Sequence, residues 1–410
     1  MTYAQLLARL YGTRRFGVKL GLDRVEKALV RLGDPAAAFG VVVQIGGTNG
    51  KGSACAFTEA LLTRAGVRTG VFTSPHLSRL AERYRVGGVP ADDADVLRAG
   101  ETVLDALGDA DLTFFELATL IGLVVFERAG VEAAVLEVGM GGRLDATTAV
   151  RADVTAVTGV ALEHQQYLGD TLEAIAREKA GIFRRGVPAV IGQSGEPEAV
   201  PVLEQAAGAA GAPIVRAALS PPADWSLGIG GAHQPSNAAT ALAIAAQTVD
   251  LDVAARREAL AAARCPGRLE VVAESPRTFV DGAHNPHGAR AVAPQVAADV
   301  CVIAVSKGKD TAAIVAPFAS RARVVIATEA GVDDRGVPAA EVGDAARAAT
   351  PAPEVEVDPE PRRAIDRARA VARGDVLIVG SLFLAGVARQ HLCGDASDPV
   401  FLSDPVNLPC

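Results

Sequence analysis

Aromatic side chains are scarce in this sequence: 410 residues hold one Trp, four Tyr and twelve Phe. A surface built to grip nucleic acid by stacking bases would need more of them. Basic residues are outnumbered, 40 Lys and Arg against 48 Asp and Glu, leaving a net charge of −8. That balance argues against nucleic-acid binding through a broad basic face, while leaving room for one basic pocket. Cysteine is sparse, and Cys55, Cys265, Cys301, Cys393 and Cys410 stand far apart with no C-x-x-C pair. Neither a disulfide framework nor a zinc site has that spacing. No hydrophobic run approaches the roughly 20 residues of a membrane span, and Met1–Gly12 lacks the apolar centre of a signal peptide. The expectation is a cytoplasmic protein in a reducing compartment, with no nucleic acid and no membrane among its partners.

What is present is a chain that is 50% hydrophobic and 21% charged, which excludes disorder and gives about two or three domains with real cores. Short apolar runs alternate with longer alanine-rich segments. The runs Val41–Ile45, Ala133–Val138, Val154–Val157, Ala189–Ile191, Thr278–Val280, Cys301–Val305, Val324–Ala327 and Val376–Val379 read as strands. They are continuously apolar rather than alternating, as strands covered on both faces should be. That is an α/β pattern with a mostly parallel sheet. A helical stretch from Asn237 to Arg264 leads to a boundary near Cys265-Pro266-Gly267. The expected division is 1–265, a smaller Rossmann-like α/β domain over 266–392, and a loosely held tail over 393–410.

The first strand runs into Gly46-Gly47-Thr48-Asn49-Gly50-Lys51-Gly52-Ser53, with a helix expected from about Ser53 to Arg64. A strand, a glycine turn and a helix N-terminus make an anion cradle, because glycines let successive N–H groups converge on phosphate oxygens. Asn49, Gly50, Lys51 and Gly52 line it, with Lys51 reaching terminal phosphates and Ser53 placed as a magnesium ligand. The strict GxxxxGK[ST] pattern is not met: Ile45 stands where its first glycine would be, and Gly52 separates the lysine from the hydroxyl. The first domain is therefore expected to be of the P-loop type. Glu137 closes a strand before a glycine turn, the crevice position at which open α/β sheets bind ligands. Thr171 is a good N-cap for a helix that carries Lys179.

Further segments narrow the choice: Thr73-Ser74-Pro75-His76-Leu77, Leu112-Thr113-Phe114-Phe115-Glu116, Leu136-Glu137-Val138-Gly139-Met140-Gly141-Gly142-Arg143-Leu144-Asp145-Ala146-Thr147, Glu163-His164, Leu168-Gly169-Asp170-Thr171, and Ile175–Ile182. Then come His233-Gln234 with Asn237, Pro266-Gly267-Arg268, Asp281-Gly282-Ala283-His284-Asn285-Pro286 and Gly380-Ser381-Leu382. In this order, from about residue 3 to 388, they resemble the folylpolyglutamate synthase/dihydrofolate synthase family of the Mur ligase superfamily. The resemblance implies an ATP- and magnesium-dependent ligase that joins glutamate to a pterin-linked carboxylate through an acyl phosphate. It implies two magnesium ions, with Ser74, Glu137 and His164 holding one and Ser53 another. It implies ATP contacts from Asn237, Arg268 and Asp281, and a catalytic role for His284 beside Lys51. It further implies that Lys179 is carbamylated and supports the metal as a carboxylate. For the pterin it points to Leu112, Thr113, Phe114 and Phe115, which offer a hydroxyl and flat apolar surface, and to Leu144, Asp145 and Ala146, which offer a carboxylate. A monomer is the expected state.

The chain departs from the family wording in places. Thr148 stands for Asn, Glu163 for Asp, Arg79–Pro90 keeps only Glu82-Arg83 of the usual stretch, and Thr328–Pro338 keeps only Arg335 of a basic segment. Two other readings therefore stay open at this point: a Mur-type ligase with a non-folate acceptor, and a nucleotide-binding regulator that ligates nothing.

Overall fold

A computed structural model describes residues 1–13, 21–108, 110–217, 220–330 and 336–398. Arg335 and residues 399–410 of the expected tail lie outside the described residues. The chain builds two sheets. The first has strands β1 (Val41–Gly46), β2 (Thr69–Phe72), β3 (Tyr84–Val86), β4 (Val89–Pro90), β5 (Ala133–Glu137), β6 (Val154–Val157), β7 (Ala189–Ile191) and β8 (Ile214–Arg216), in the order β4-β3-β2-β5-β1-β6-β7-β8. The pairings from β2 through β8 are parallel, while β3 and β4 turn back antiparallel at one edge. The second has β9 (Glu270–Glu274), β10 (Arg277–Val280), β11 (Ala298–Ile303), β12 (Val324–Ala327), β13 (Glu354–Val357) and β14 (Asp375–Val379), in the order β13-β12-β11-β14-β10-β9. All eight strands expected from the sequence are present.

The apolar runs follow from double-sided burial. In β1, Val42 faces the core that holds Phe72, Leu136 and the helix Phe114–Arg128. Val43 and Ile45 face the opposite core with Val71, Val135 and Ala54 of the helix Lys51–Arg64. The second sheet alternates likewise, Cys301 and Ile303 to one side, Val300 and Val302 to the other. A strand covered on both faces has no solvent-facing position, so the period-two signal vanishes, and the one polar residue of β1, Gln44, is buried and bonds Thr147 and Thr148.

The expected helix from Asn237 to Arg264 is instead two, Gln234–Ala245 and Val253–Ala262. Asp252 breaks the run: its side chain accepts from the Ala255 N–H and starts the second helix as an N-cap. The expectation of a loose tail is corrected over 394–398, because Asp398 is buried and its carboxylate accepts from the Leu80 N–H at 2.7 Å. No described helix is long and apolar enough to cross a membrane.

Candidate active site

Strand register assembles the site. In the β1–β5 ladder Ile45 pairs with Glu137, and in the β1–β6 ladder Gly46 pairs with Val157. The loops that leave β1, β5 and β6 therefore emerge side by side at the carboxyl ends of the sheet. The loop after β1 is bound to the one after β6: the Thr48 N–H donates to Gly159 O at 2.9 Å, and the Thr158 hydroxyl donates to Asn49 O at 2.7 Å. Gly47 (φ +136°) and Gly50 (φ +83°) occupy backbone conformations that side chains disfavour. A Cβ on Gly47 would lie 2.0 Å from Thr158 Oγ1, and one on Gly50 would lie 2.1 Å from Asn237 Oδ1.

Two lysines converge on this loop. Lys51 Nζ donates to Gly47 O and Thr48 O, each at 3.2 Å. Lys179 Nζ donates to the same Gly47 carbonyl at 2.9 Å. Lys179 lies on the helix Leu172–Ala180, whose N-cap Thr171 accepts from the Ala174 N–H, as the sequence predicts. Its side chain is buried, and burial together with the charge of Lys51 lowers its pKa to about 7. A group with that pKa is neutral in a large fraction near pH 7.

Glu137 is buried beside Gly52 and accepts from the Ser74 N–H at 2.9 Å through Oε2. Burial raises its pKa, opposed by Lys51, the Ser74 bond, Arg268 and Arg83. A cavity of about 340 Å³ opens beside Gly52, Ser74, Glu137 and Arg268. His164 takes a left-handed conformation (φ 52°, ψ 36°) at the start of a short helix, and burial lowers its pKa to about 4. Among the described residues no three His, Cys, Asp or Glu side chains form a metal-binding group. The donors of Ser74, Glu137 and His164 nevertheless suit magnesium. One carboxylate with a free Oε1 direction and a hydroxyl are hard oxygen donors, the neutral imidazole is a softer nitrogen donor, and magnesium keeps waters in the remaining positions. Ser53 is buried in the first turn of the helix Lys51–Arg64.

The second sheet closes on these loops. Asn285, the N-cap of the helix Pro286–Val292, exchanges two side-chain hydrogen bonds with Asn49, at 2.9 and 3.2 Å. Glu163 gathers His164 and His284 at 3.7 Å, Lys309 at 3.5 Å and Asn285 at 3.2 Å on one carboxylate oxygen. Burial alone would raise its pKa, but the neighbouring His284, His164 and Lys309 hold it well below the usual carboxylate range. The sequence marked Glu163 only as a departure and passed over Lys309. The available signal was its place in the turn after β11, at the carboxyl end of a parallel sheet. His284 shares a hydrogen bond between Nδ1 and Gly282 O at 2.8 Å, leaving Nε2 toward Glu163. Arg268 donates to Gly267 O and lines the cavity opposite Glu137. Asn237 is buried, its Nδ2 donates to Gln234, and its Oδ1 has no partner.

Several side chains expected at ligands also bond within the chain. Asp281 accepts from the Leu269 and Ala283 N–H groups at 2.9 and 2.7 Å, one bond to each oxygen, which ties the boundary segment to β10 and leaves acceptor sites open. Asp145 accepts from the Gly139 and Met140 N–H groups through one oxygen and from the Thr147 N–H and hydroxyl through the other. Four bonds fill a carboxylate's acceptor sites, so a direct bond from Asp145 to a pterin would have to replace one of them. Thr113 and Glu116 form a capping box on the helix Phe114–Arg128, in which the Thr113 hydroxyl accepts from the Glu116 N–H at 3.3 Å and keeps its own O–H to donate. Phe114 is fully buried, stacked on Tyr11 at 5.2 Å under the Arg83 guanidinium, and is core rather than ring surface. Leu112 and Ala146 are also buried. Of the two segments, Phe115 and Leu144 remain half-exposed, and Phe115 packs over Gly139, where a Cβ would meet its ring at 2.5 Å.

Known proteins fit this geometry. Residues 45–192 match the Mur ligase middle domain, and residues 267–382 match the Mur ligase, glutamate ligase domain. The Lacticaseibacillus casei folylpolyglutamate synthase is 31% identical over 97% of this chain and 100% of its own. The Escherichia coli dihydrofolate synthase/folylpolyglutamate synthase is 41% identical over 66% of this chain and 67% of its own. The structure of E. coli FolC in complex with DHPP and ADP superposes with a TM-score of 0.86 at 33% identity, covering 95% of this chain and 98% of that one. A bifunctional folylpolyglutamate synthase/dihydrofolate synthase with Mn, AMPPNP and L-glutamate bound gives 0.83 at 33% identity, over 95% and 98%. With matches that span nearly its whole length and the glycine loop, lysine pair and two sheets in place, the chain belongs to the folylpolyglutamate synthase/dihydrofolate synthase family of Mur ligases, ATP-dependent enzymes that form amide bonds.

Proposed function

We propose that this protein joins the α-amino group of L-glutamate to the carboxylate of a pterin-linked acid, dihydropteroate or a tetrahydrofolate polyglutamate. The observation that carries the reading is the meeting of Lys51 and Lys179 on the Gly47 carbonyl beside Glu137. A carboxylate is a poor electrophile, so its oxygen first attacks the γ-phosphorus of ATP, and ADP leaves. The loop N–H groups and Lys51 clamp the charge that spreads over the phosphoryl oxygens. Magnesium held by Ser74, Glu137 and His164, with Ser53 at a second ion, would neutralise further charge there. The glutamate amine then attacks the acyl carbon, and phosphate departs. His284, held at Nδ1 by Gly282 O, offers Nε2 as the base for the amine proton. The contacts of Asn49 and Glu163 with the second sheet exclude water from the acyl phosphate.

Lys179 supports the second part of the proposal, its carbamylation. A neutral buried amine can attack carbon dioxide, lose one proton to solvent and become an anionic oxygen donor between the loop and the metal ligands. Its pKa near 7 supplies the neutral amine. The pterin is assigned to the strip of Phe115 and Leu144, the half-exposed members of the two acceptor segments. The E. coli relative bound to DHPP and ADP and the relative bound to L-glutamate support the substrate set. A cytoplasmic monomer, divided near residue 265, completes the reading. Phosphate release with ATP, magnesium and glutamate tests it, run with dihydropteroate, with tetrahydrofolate and with no acceptor. Release that requires one of the pterin acids supports the proposal, and release independent of any acceptor refutes it.

A further inference from the structure

The middle of β1 holds a polar side chain that the ligation chemistry leaves unused. Gln44 is 0% exposed and pairs in the ladders with Leu136 of β5 and Thr155 of β6. Its Nε2 donates to the Thr147 hydroxyl at 3.0 Å and to the Thr148 hydroxyl at 2.7 Å. Its Oε1 has no partner among the described residues. A buried, unpaired carbonyl costs stability that an apolar side chain of similar length would not. Packing alone therefore does not account for an amide at this position.

The directions of the bonds fix which end of the amide faces the threonines. The Thr147 hydroxyl donates to Asp145 Oδ1 at 2.6 Å, and the Thr148 hydroxyl donates to Gly142 O at 2.7 Å. A carboxylate and a carbonyl only accept, so each threonine has used its one hydrogen and turns a lone pair toward residue 44. Satisfying both needs one atom with two hydrogens. Among uncharged side chains the amides of glutamine and asparagine supply it, and asparagine is one methylene shorter.

Both branches end on the loop after Glu137. Through Thr147 the first reaches Asp145, whose other oxygen accepts from the Gly139 and Met140 N–H groups at 3.0 and 3.1 Å. The second reaches the Gly142 carbonyl, which also accepts from the Asp145 N–H at 3.1 Å. The far side of the loop rests on the helix Leu172–Ala180: a Cβ on Gly142 would lie 2.6 Å from Lys179 O, and the Arg143 N–H donates to Glu178 O at 3.0 Å. The loop is thus clamped between β1 and that helix. It carries Gly139, on which Phe115 packs, and the half-exposed Leu144. The nucleotide loop is tied down separately, by Thr48 and Thr158, and Gln44 bonds neither.

We propose that Gln44 is a positioning residue for the pterin acceptor: through Thr147 and Thr148 its amide fixes the loop from Gly139 to Leu144 in the shape that presents the Phe115 and Leu144 strip. It sets acceptor affinity without touching the acceptor. The inference rests on the pterin-ligase reading above and goes beyond it by assigning that affinity to a residue in the centre of the sheet.

Full-length variants test it by steady-state kinetics with the pterin acid that wild type turns over. Gln44→Leu keeps the bulk and removes both donors. Thr148→Val keeps the shape and removes one acceptor, whereas Thr148→Ser retains it. Gln44→Leu is expected to raise the acceptor KM by about threefold or more, with the KM of ATP within about twofold of wild type. Thr148→Val should move the acceptor KM in the same direction, and Thr148→Ser should restore it. Combining Gln44→Leu with Thr148→Val should add nothing further, because both act through one bond. An acceptor KM raised less than about threefold by Gln44→Leu, or an ATP KM raised as much, overturns the proposal and leaves the ligase reading intact. If Gln44→Leu does not fold, the comparison of Thr148→Val with Thr148→Ser decides: equal acceptor KM values overturn the proposal, and a higher value for Thr148→Val alone supports it. A wild type that turns over no pterin acid refutes the ligase reading and the role of Gln44 with it.

Discussion

Asp145→Ala separates a ligand contact from a structural tie. The substitution strands four donors: the Gly139 and Met140 N–H groups, the Thr147 N–H and the Thr147 hydroxyl. Each buried donor left without a partner costs about 1–3 kcal/mol. The hydroxyl can turn to another acceptor, and Gly139 and Met140 are half-exposed and can recruit water. That leaves the Thr147 N–H stranded and a loss of about 1–3 kcal/mol, a sizeable part of a typical 5–15 kcal/mol stability. Asp145→Asn is milder. Its carbonyl oxygen can keep Gly139 and Met140 while its amide faces the Thr147 hydroxyl as an acceptor, so only the Thr147 N–H is opposed, at about 1–2 kcal/mol. Urea denaturation measures both losses, and steady-state kinetics measures acceptor KM on the fraction that remains folded. A loss under about 1 kcal/mol for Asp145→Ala, combined with an acceptor KM raised tenfold or more, would refute the reasoning and return Asp145 to the pterin.

Lys51→Ala should lower kcat by roughly 100-fold or more with the urea midpoint unchanged, because the side chain stabilises developing charge rather than core packing; a variant retaining a tenth of wild-type kcat removes the clamp role. Lys179→Ala should be nearly inactive, with part of the rate restored by a small carboxylic acid added in trans; a bare amine in crystals of fully active, bicarbonate-equilibrated enzyme would contradict the carbamate. The free amine also predicts a pH slope. The unfolded lysine holds its proton up to its ordinary pKa of 10.5 and the folded one only to about 7, so with bicarbonate excluded stability should climb between those values as pH rises, and Lys179→Met should flatten that climb. Gly50→Ala combines a left-handed φ of +83° with a Cβ 2.1 Å from Asn237 Oδ1, and should lose at least about 1–2 kcal/mol in stability; an unchanged midpoint would show that the loop adopts another conformation.

The sequence by itself determined the elements whose causes are local. The central strands announced themselves because each is buried on both faces, and the helix that bears Lys179 began at the predicted Thr171 cap. The loop from Gly46 to Ser53 carried its own signature, since only glycine readily takes the conformations at Gly47 and Gly50. The strands β2, β3, β4, β8, β9 and β13 were not expected: β2 is buried throughout but is only Thr69-Gly70-Val71-Phe72, and the others are short or only partly buried, so none offers an apolar run. The choice between Phe114 and Phe115 was tertiary as well. Neighbours on a helix point about 100° apart, and only packing against Tyr11 and Arg83 decides that the first is core and the second borders the cleft. Nothing local revealed that the Asp145 carboxylate is filled by its own loop, because its donors depend on how that loop folds back. The cross-sheet contacts had no local trace at all. Glu163 meets Lys309 across 146 positions and Asp398 meets Leu80 across 318. Such pairs are selected by closure of one sheet on the other, a long-range event to which a single sequence assigns no period, cap or turn.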